Sequence, residues 1–177
     1  MARVTSIDGG GRADLAALVK RLSTARGGRL INIYRMLLHS PPIAEAWMDF
    51  NNAVRSSTEL DGQTRELAIL RIAHLNGVDY IVQAHAPDYA IKEGLSRAQI
   101  DALNDWRPST LFSAAQRALL AYVDAMTRDI DVPDAVYAAL REHYSERQAV
   151  EATVLVGAYN MHSRVLRALR IDPEPAR

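Results

Sequence analysis

TRELAILRIAHLNGVDYIVQAH, residues 64–85, sets a carboxylate and an imidazole into an otherwise apolar pair of helical segments. The spacing predicts a helix from Gln63 to Leu75, on which Glu66 shares a face with Ile69, Leu70 and Ala73, three, four and seven positions on. Burying that face strips water from Glu66, which is expected to raise its pKa towards the range where a carboxyl trades protons near neutral pH. Asn76 and Gly77 stop the helix, since glycine takes the left-handed cap conformation without steric cost. A second helix is expected from Val78 to Glu93, ended by Gly94, with Val78, Ile81, His85 and Asp88 or Tyr89 along one side.

Outward from this pair the chain reads as helices throughout. Asp14 to Ala25 carries Leu15, Leu18, Val19 and Leu22 on one side and is broken by Gly27 and Gly28. The segment LINIYRMLLHSPPIAEAW gives a short helix ending near His39, then a new one started by Ser40, Pro41 and Pro42, where proline costs nothing because first-turn amides have no partner. Three Ser-x-x-Gln boxes follow: Ser96 with Gln99, Ser113 with Gln116, and Ser145 with Gln148. Each satisfies free amides reciprocally at a helix start, predicting helices over Arg97 to Leu103, Ala114 to Met126 and Glu146 to Arg170, with another from Pro133 to His143. No stretch alternates with period two, so the fold class is all-α, with about eight or nine helices. Residues 1–12, ending in GGG, read as a flexible N-terminal arm, and residues 13–177 as a single helical domain.

The run E-L-A-I-L-R, then N-G, then A-H, resembles the carboxymuconolactone decarboxylase and alkyl hydroperoxidase D superfamily. In its peroxidase branch a glutamate is followed at twelve and fifteen residues by two cysteines and at nineteen by a histidine, and Glu66, Val78, Ile81 and His85 stand at that spacing. Both thiol positions are aliphatic here and the chain contains no cysteine. Peroxide reduction by a thiol is therefore chemically excluded, and the Glu and His pair that handles protons remains. The resemblance implies a helical bundle with an internal pseudo-repeat. Placing Glu151 under Glu66 aligns EATVLVGAYN with ELAILRIAHL, which would leave Glu151 inside a second hydrophobic helix. The resemblance also implies a homo-oligomer, a trimer or hexamer, with the long last helix and its Gly157 and Ala158 suited to close contacts.

Composition narrows the function. Twenty-one basic residues balance 21 acidic ones, which gives no electrostatic reason to expect nucleic acid or an anionic membrane as partner. Without cysteine there are no disulfides and no thiolate metal sites. No apolar run approaches a membrane span, and the N-terminus has no signal-like segment, so a cytoplasmic location is expected.

The catalytic candidates are His85 and Glu66. Each has a structural alternative, a hydrogen-bonded core histidine and a carboxylate paired with an arginine from another helix. Substrate-binding candidates are Tyr80, whose hydroxyl can donate to a substrate oxygen, and Val78 and Ile81, which would form an apolar wall. His74 and Glu151 are added to them, although with His162 they suit structural or interfacial roles equally well. Amides near Val78 to Tyr80, at a helix start, could hold an oxyanion or carboxylate. His74 and His85 form no compact ligand pattern, so no metal is expected, and no glycine-rich fingerprint calls for a cofactor. The resemblance and the pair together imply a cofactor-independent lyase acting by acid–base chemistry on a small carboxylated, lactone or carbonyl compound, with His85 as the acid that returns a proton to carbon. A non-catalytic binding or assembly protein is the alternative.

Overall fold

The computed structural model describes residues 2–175; Met1 of the expected arm and residues 176–177 of the expected domain lie outside them. The described residues form nine α-helices and no strand: α1 (Ala16–Thr24), α2 (Asn32–Leu37), α3 (Pro41–Ser56), α4 (Gly62–Asn76), α5 (Asp79–His85), α6 (Arg97–Ala102), α7 (Ala114–Arg128), α8 (Asp134–Arg141) and α9 (Glu146–Leu169).

Helix α4 is the axis around which the others pack. Leu67, Ala68, Ile69, Leu70, Ile72 and Ala73 are all fully buried, so the helix is apolar on every side rather than on the single face that the spacing predicts. A helix hydrophobic all round belongs in the middle, and α7 and α9 flank it with α5 at its end. Its start is fixed by Asp61, whose carboxylate accepts the Thr64 amide at 2.8 Å. Its end is fixed by Gly77 at φ 61°, the left-handed position a side chain would strain.

All three Ser-x-x-Gln boxes form as read, at the starts of α6, α7 and α9. The second helix of the quoted stretch departs from its expected course. Regular α-helix stops at His85, and the chain continues through a π-helical turn, Ala86–Ala90. Pro87 supplies the reason: it has no amide hydrogen to donate and its ring would press on the carbonyl one turn back, so the backbone widens there.

The N-terminal stretch is tied to the body rather than free. The Arg3 amide donates to the Leu169 carbonyl at 2.9 Å and the Ile7 amide to the Arg35 carbonyl at 3.1 Å, while Val4 and Ile7 pack against the core. Composition alone pointed to mobility there because neither carbonyl partner is a sequence neighbour. None of the described helices is long and apolar enough to cross a membrane.

Candidate active site

Helices α4 and α5 meet at the cap of Gly77, and this brings Glu66 and His85 together across the turn. His85 Nδ1 lies 2.6 Å from Glu66 Oε2, with both side chains almost wholly buried. Glu66 Oε1 has no hydrogen-bond partner. Two guanidinium groups stand just beyond bonding reach of it, Arg65 from the same helix at 3.7 Å and Arg55 from the end of α3 at 3.9 Å.

The direction of the Glu66 pKa shift overturns the sequence expectation. Burial pushes the carboxyl up, as expected, but the hydrogen bond and charge of His85, with Arg55 and Arg65 behind them, outweigh it and hold Glu66 below its ordinary value. His85 is also lowered, first by burial and further by the two arginines, with Glu66 pulling the other way. At neutral pH the pair is therefore a carboxylate and a neutral imidazole. An ionised carboxylate can only accept, so Nδ1–H donates to Oε2 and Nε2 carries the lone pair. In its resting form His85 is a base, where the sequence suggested an acid.

His85 forms part of the wall of a cavity of about 1010 Å³. A continuous run of rings lines it. Trp47 meets His162 edge-on at 5.2 Å, and His162 stacks on Tyr159 at 5.6 Å with 24° between planes. Tyr159 meets His85 edge-on at 5.8 Å, His85 lies 5.5 Å from Tyr89, and the Arg55 guanidinium sits 5.1 Å over the Tyr89 ring. Burial pushes the Tyr159 hydroxyl up to about 12 despite Arg55, so it stays protonated. His162 is held down to about 3, mainly by burial, then by His85, Arg55 and Arg26, so it is neutral.

Of the residues singled out in the sequence, His85, Tyr80 and Ile81 line this cavity, with Glu66 directly behind His85. Tyr80 does not present a free hydroxyl: it donates to Glu174 Oε1 at 2.9 Å, and burial followed by this carboxylate raises its pKa. Glu174 belongs to the segment after α9, where it also accepts the Asn32 amide at 2.6 Å, and Pro173 to Pro175 complete that side of the cavity.

Val78, His74 and Glu151 are not among the lining residues. Val78 is buried in the core, and its amide donates to the Ala73 carbonyl at 2.9 Å. That amide closes the helix cap and cannot serve an oxyanion. His74 is partly buried, with its pKa lowered by burial and by Arg71 against the pull of Asp79. Glu151 accepts the Glu59 amide at 2.8 Å and Arg147 Nε at 3.0 Å. It is therefore a half-buried link between the start of α9 and the Glu59 backbone rather than a fully buried carboxylate like Glu66.

The residues sequence reasoning missed are Arg55, Trp47 and Tyr159, while Tyr89 stands beside His85 on the side where the spacing puts it without assigning it a role. Tyr159 lies inside the stretch aligned with α4, the one signal that could have raised it; Arg55 has none, since only the packing of α3 brings it near Glu66. Among the described residues no group of three or more His, Asp or Glu converges as a metal site would require.

Residues 41–125 match the carboxymuconolactone decarboxylase family. A protein of unknown function from Agrobacterium tumefaciens, ATU0492, described as a putative antioxidant defence protein AhpD, is 31% identical, covers 80% of this chain and 97% of its own, and superposes with a TM-score of 0.74. YdfG of Bacillus subtilis (strain 168), an uncharacterized protein, is 28% identical over 73% of this chain and 88% of its own length. An alkylhydroperoxidase AhpD core structure, an uncharacterized peroxidase-related protein from Ralstonia eutropha JMP134, shares the fold with a TM-score of 0.82 at 19% identity, covering 98% of this chain and 92% of its own. The chain belongs to the carboxymuconolactone decarboxylase and alkyl hydroperoxidase D superfamily.

Proposed function

We propose that this member of the superfamily is a cofactor-independent acid–base enzyme, a lyase or isomerase acting on a small carbonyl or carboxylated compound. The observation that carries the reading is the 2.6 Å bond from His85 to Glu66 in the wall of a cavity of about 1010 Å³, a volume suited to a small organic substrate.

The chemistry follows from the protonation state. Neutral His85 accepts a proton at Nε2 from a carbon next to a carbonyl; the electron pair of the C–H bond passes into the carbonyl and forms an enolate. Glu66 holds the ring through Nδ1 and stabilises the imidazolium that appears. The same proton, returned to a different carbon, completes an isomerisation without any co-reactant. If a carboxylate departs as carbon dioxide instead, the proton delivered to carbon must first be taken up by His85 from water, so isomerisation or elimination fits the resting state with one step fewer. Thiol-based peroxidase chemistry has no side chain to use, since the sequence holds no cysteine.

The non-catalytic binding reading draws on one observation, the occupation of the Tyr80 hydroxyl by the protein's own Glu174. Self-association into a homo-oligomer is supported by Val150, Val154 and Met161, exposed on α9 at the spacing of one helical face; a cytoplasmic setting rests on the sequence reading alone.

The test is incubation in D2O with 4-carboxymuconolactone and a panel of conjugated lactones and keto acids, following deuterium uptake by NMR and carbon dioxide release. Exchange or release that is lost in His85→Ala and in Glu66→Gln, both still folded, is the expected result. No reaction with the whole panel, or equal reaction in the variants, would move the assignment to the binding reading.

A further inference from the structure

We propose that His162 is the second polar contact of this site, a neutral imidazole that donates a hydrogen bond to the oxygen of a planar, conjugated carbonyl substrate while His85 moves the proton on carbon. This rests on the acid–base reading above and adds to it the group that receives the negative charge.

Both ring nitrogens of His162 are buried without a hydrogen-bond partner, although the residue lines the cavity. A buried, unsatisfied imidazole is costly, and a purely structural position between Trp47 and Tyr159 would be better filled by phenylalanine. A half-turn about the Cβ–Cγ bond exchanges each nitrogen with a ring carbon and leaves the outline of the ring unchanged, so either edge can be offered to a ligand without repacking. The stacked and edge-on contacts to Tyr159 and Trp47 survive that turn.

Position and charge state suit the role. His85 and His162 line one cavity, with Tyr159 packed against each, 5.8 Å from His85 and 5.6 Å from His162, so one flat molecule held in that cavity is bordered by both. When His85 Nε2 removes the proton, the C–H electron pair forms the C=C bond of the enolate and the carbonyl pair moves to oxygen. A hydrogen bond from His162 strengthens as that charge grows. An imidazole that stays neutral donates without giving up its proton, so the charge remains on the substrate and the proton on His85 has one destination.

The probe is 4-nitrophenolate, a flat oxyanion that mimics the enolate and reports binding through its visible absorbance. Wild-type protein should bind it. His162→Gln, which keeps a donor, should bind within about threefold, and His162→Phe, which keeps the ring and loses the donor, should bind about 10- to 150-fold more weakly, the range for a hydrogen bond to a charged group. His162→Phe should also melt at the same temperature as wild type or above it. Equal binding by wild type and His162→Phe, no binding by wild type, or a lowered melting temperature in His162→Phe would each overturn the assignment. Binding in His85→Ala separates the two readings: retained there, it supports His162 even if no carbon acid is turned over, while deuterium exchange without a His162 effect would sustain the pair and sink this proposal.

Discussion

Helix α4 carries two buried charged groups five positions apart, and they are built to opposite plans. Arg71 is fully matched: Nε and Nη2 reach the two oxygens of Asp124 at 2.6 and 3.0 Å, and Nη1 reaches the carbonyls of Leu103 and Asn104 at 2.8 and 2.9 Å. Asp124 takes a further bond from the Trp106 indole at 3.2 Å. Glu66 is hydrogen-bonded on one oxygen only, and the Nε atoms of both nearby arginines are buried without hydrogen-bond partners. A closed network rigidifies a core, whereas an open one beside a cavity holds hydrogen-bonding capacity for something else. Both groups are buried and charged, so burial alone does not distinguish a clasp from a site; what distinguishes them is how many of their bonds are already made.

The largest effect should come from breaking the closed network. Asp124→Ala strands the Arg71 cation in the core and should cost about 3–5 kcal/mol in urea unfolding. Replacing both partners, Arg71→Met with Asp124→Leu, should cost far less, because no orphaned charge remains. A double variant as unstable as the single one would mean the clasp acts through shape rather than charge. At the open pair the effect should move from stability to chemistry. His85→Ala is expected to lower turnover in the deuterium assay about 10²- to 10⁴-fold, the usual worth of a positioned base, with a smaller change in unfolding midpoint than Asp124→Ala. Comparable losses of stability at both positions would erase the contrast.

The pH dependence tests the cavity side more gently. His162 in the folded protein stays neutral down to about pH 3, while its unfolded counterpart takes up a proton below about 6.5. The unfolded state therefore binds more protons across that window, and stability should rise with pH through it, by up to about 1.4 kcal/mol per unit from this residue. Glu66, with its pKa lowered on folding, adds acid lability below the ordinary carboxylate range. His162→Phe should flatten the acid limb of a plot of unfolding free energy against pH; an unchanged slope would show that the ring is wet and protonates freely. Smallest of all, Ser145→Ala removes the cap of α9 and should cost about 1 kcal/mol in thermal or urea melts while leaving 4-nitrophenolate binding unchanged.

How much of this was legible in the sequence depends on how far apart the interacting residues lie along the chain. The helices, the Gly77 stop and the three boxes are set by neighbours within four or five positions, and the spacing of Glu66 and His85 is set by one turn, so all of these could be read directly. The Glu66 pKa could not. Its apolar neighbours on α4 are visible in the sequence and argue for an upward shift, while the His85 hydrogen bond and charge that outweigh it exist only once α5 folds back against α4, with Arg55 from another helix and Arg65 adding to them. Tyr80 lines the cavity, but the fate of its hydroxyl depends on Glu174, 94 positions away. Glu151 lies outside the cavity lining for a related reason: alignment preserves apolar pattern, not depth in the fold.

The segment that brings Glu174 to Tyr80 and Asn32 has a practical consequence for anyone handling this protein. A proteolytic cut or a chemical label placed between the end of α9 and Glu174 would disturb residues that finish the cavity wall. Ligand titrations on protein altered there would report that disturbance together with the binding, so reporters belong on helices away from this segment.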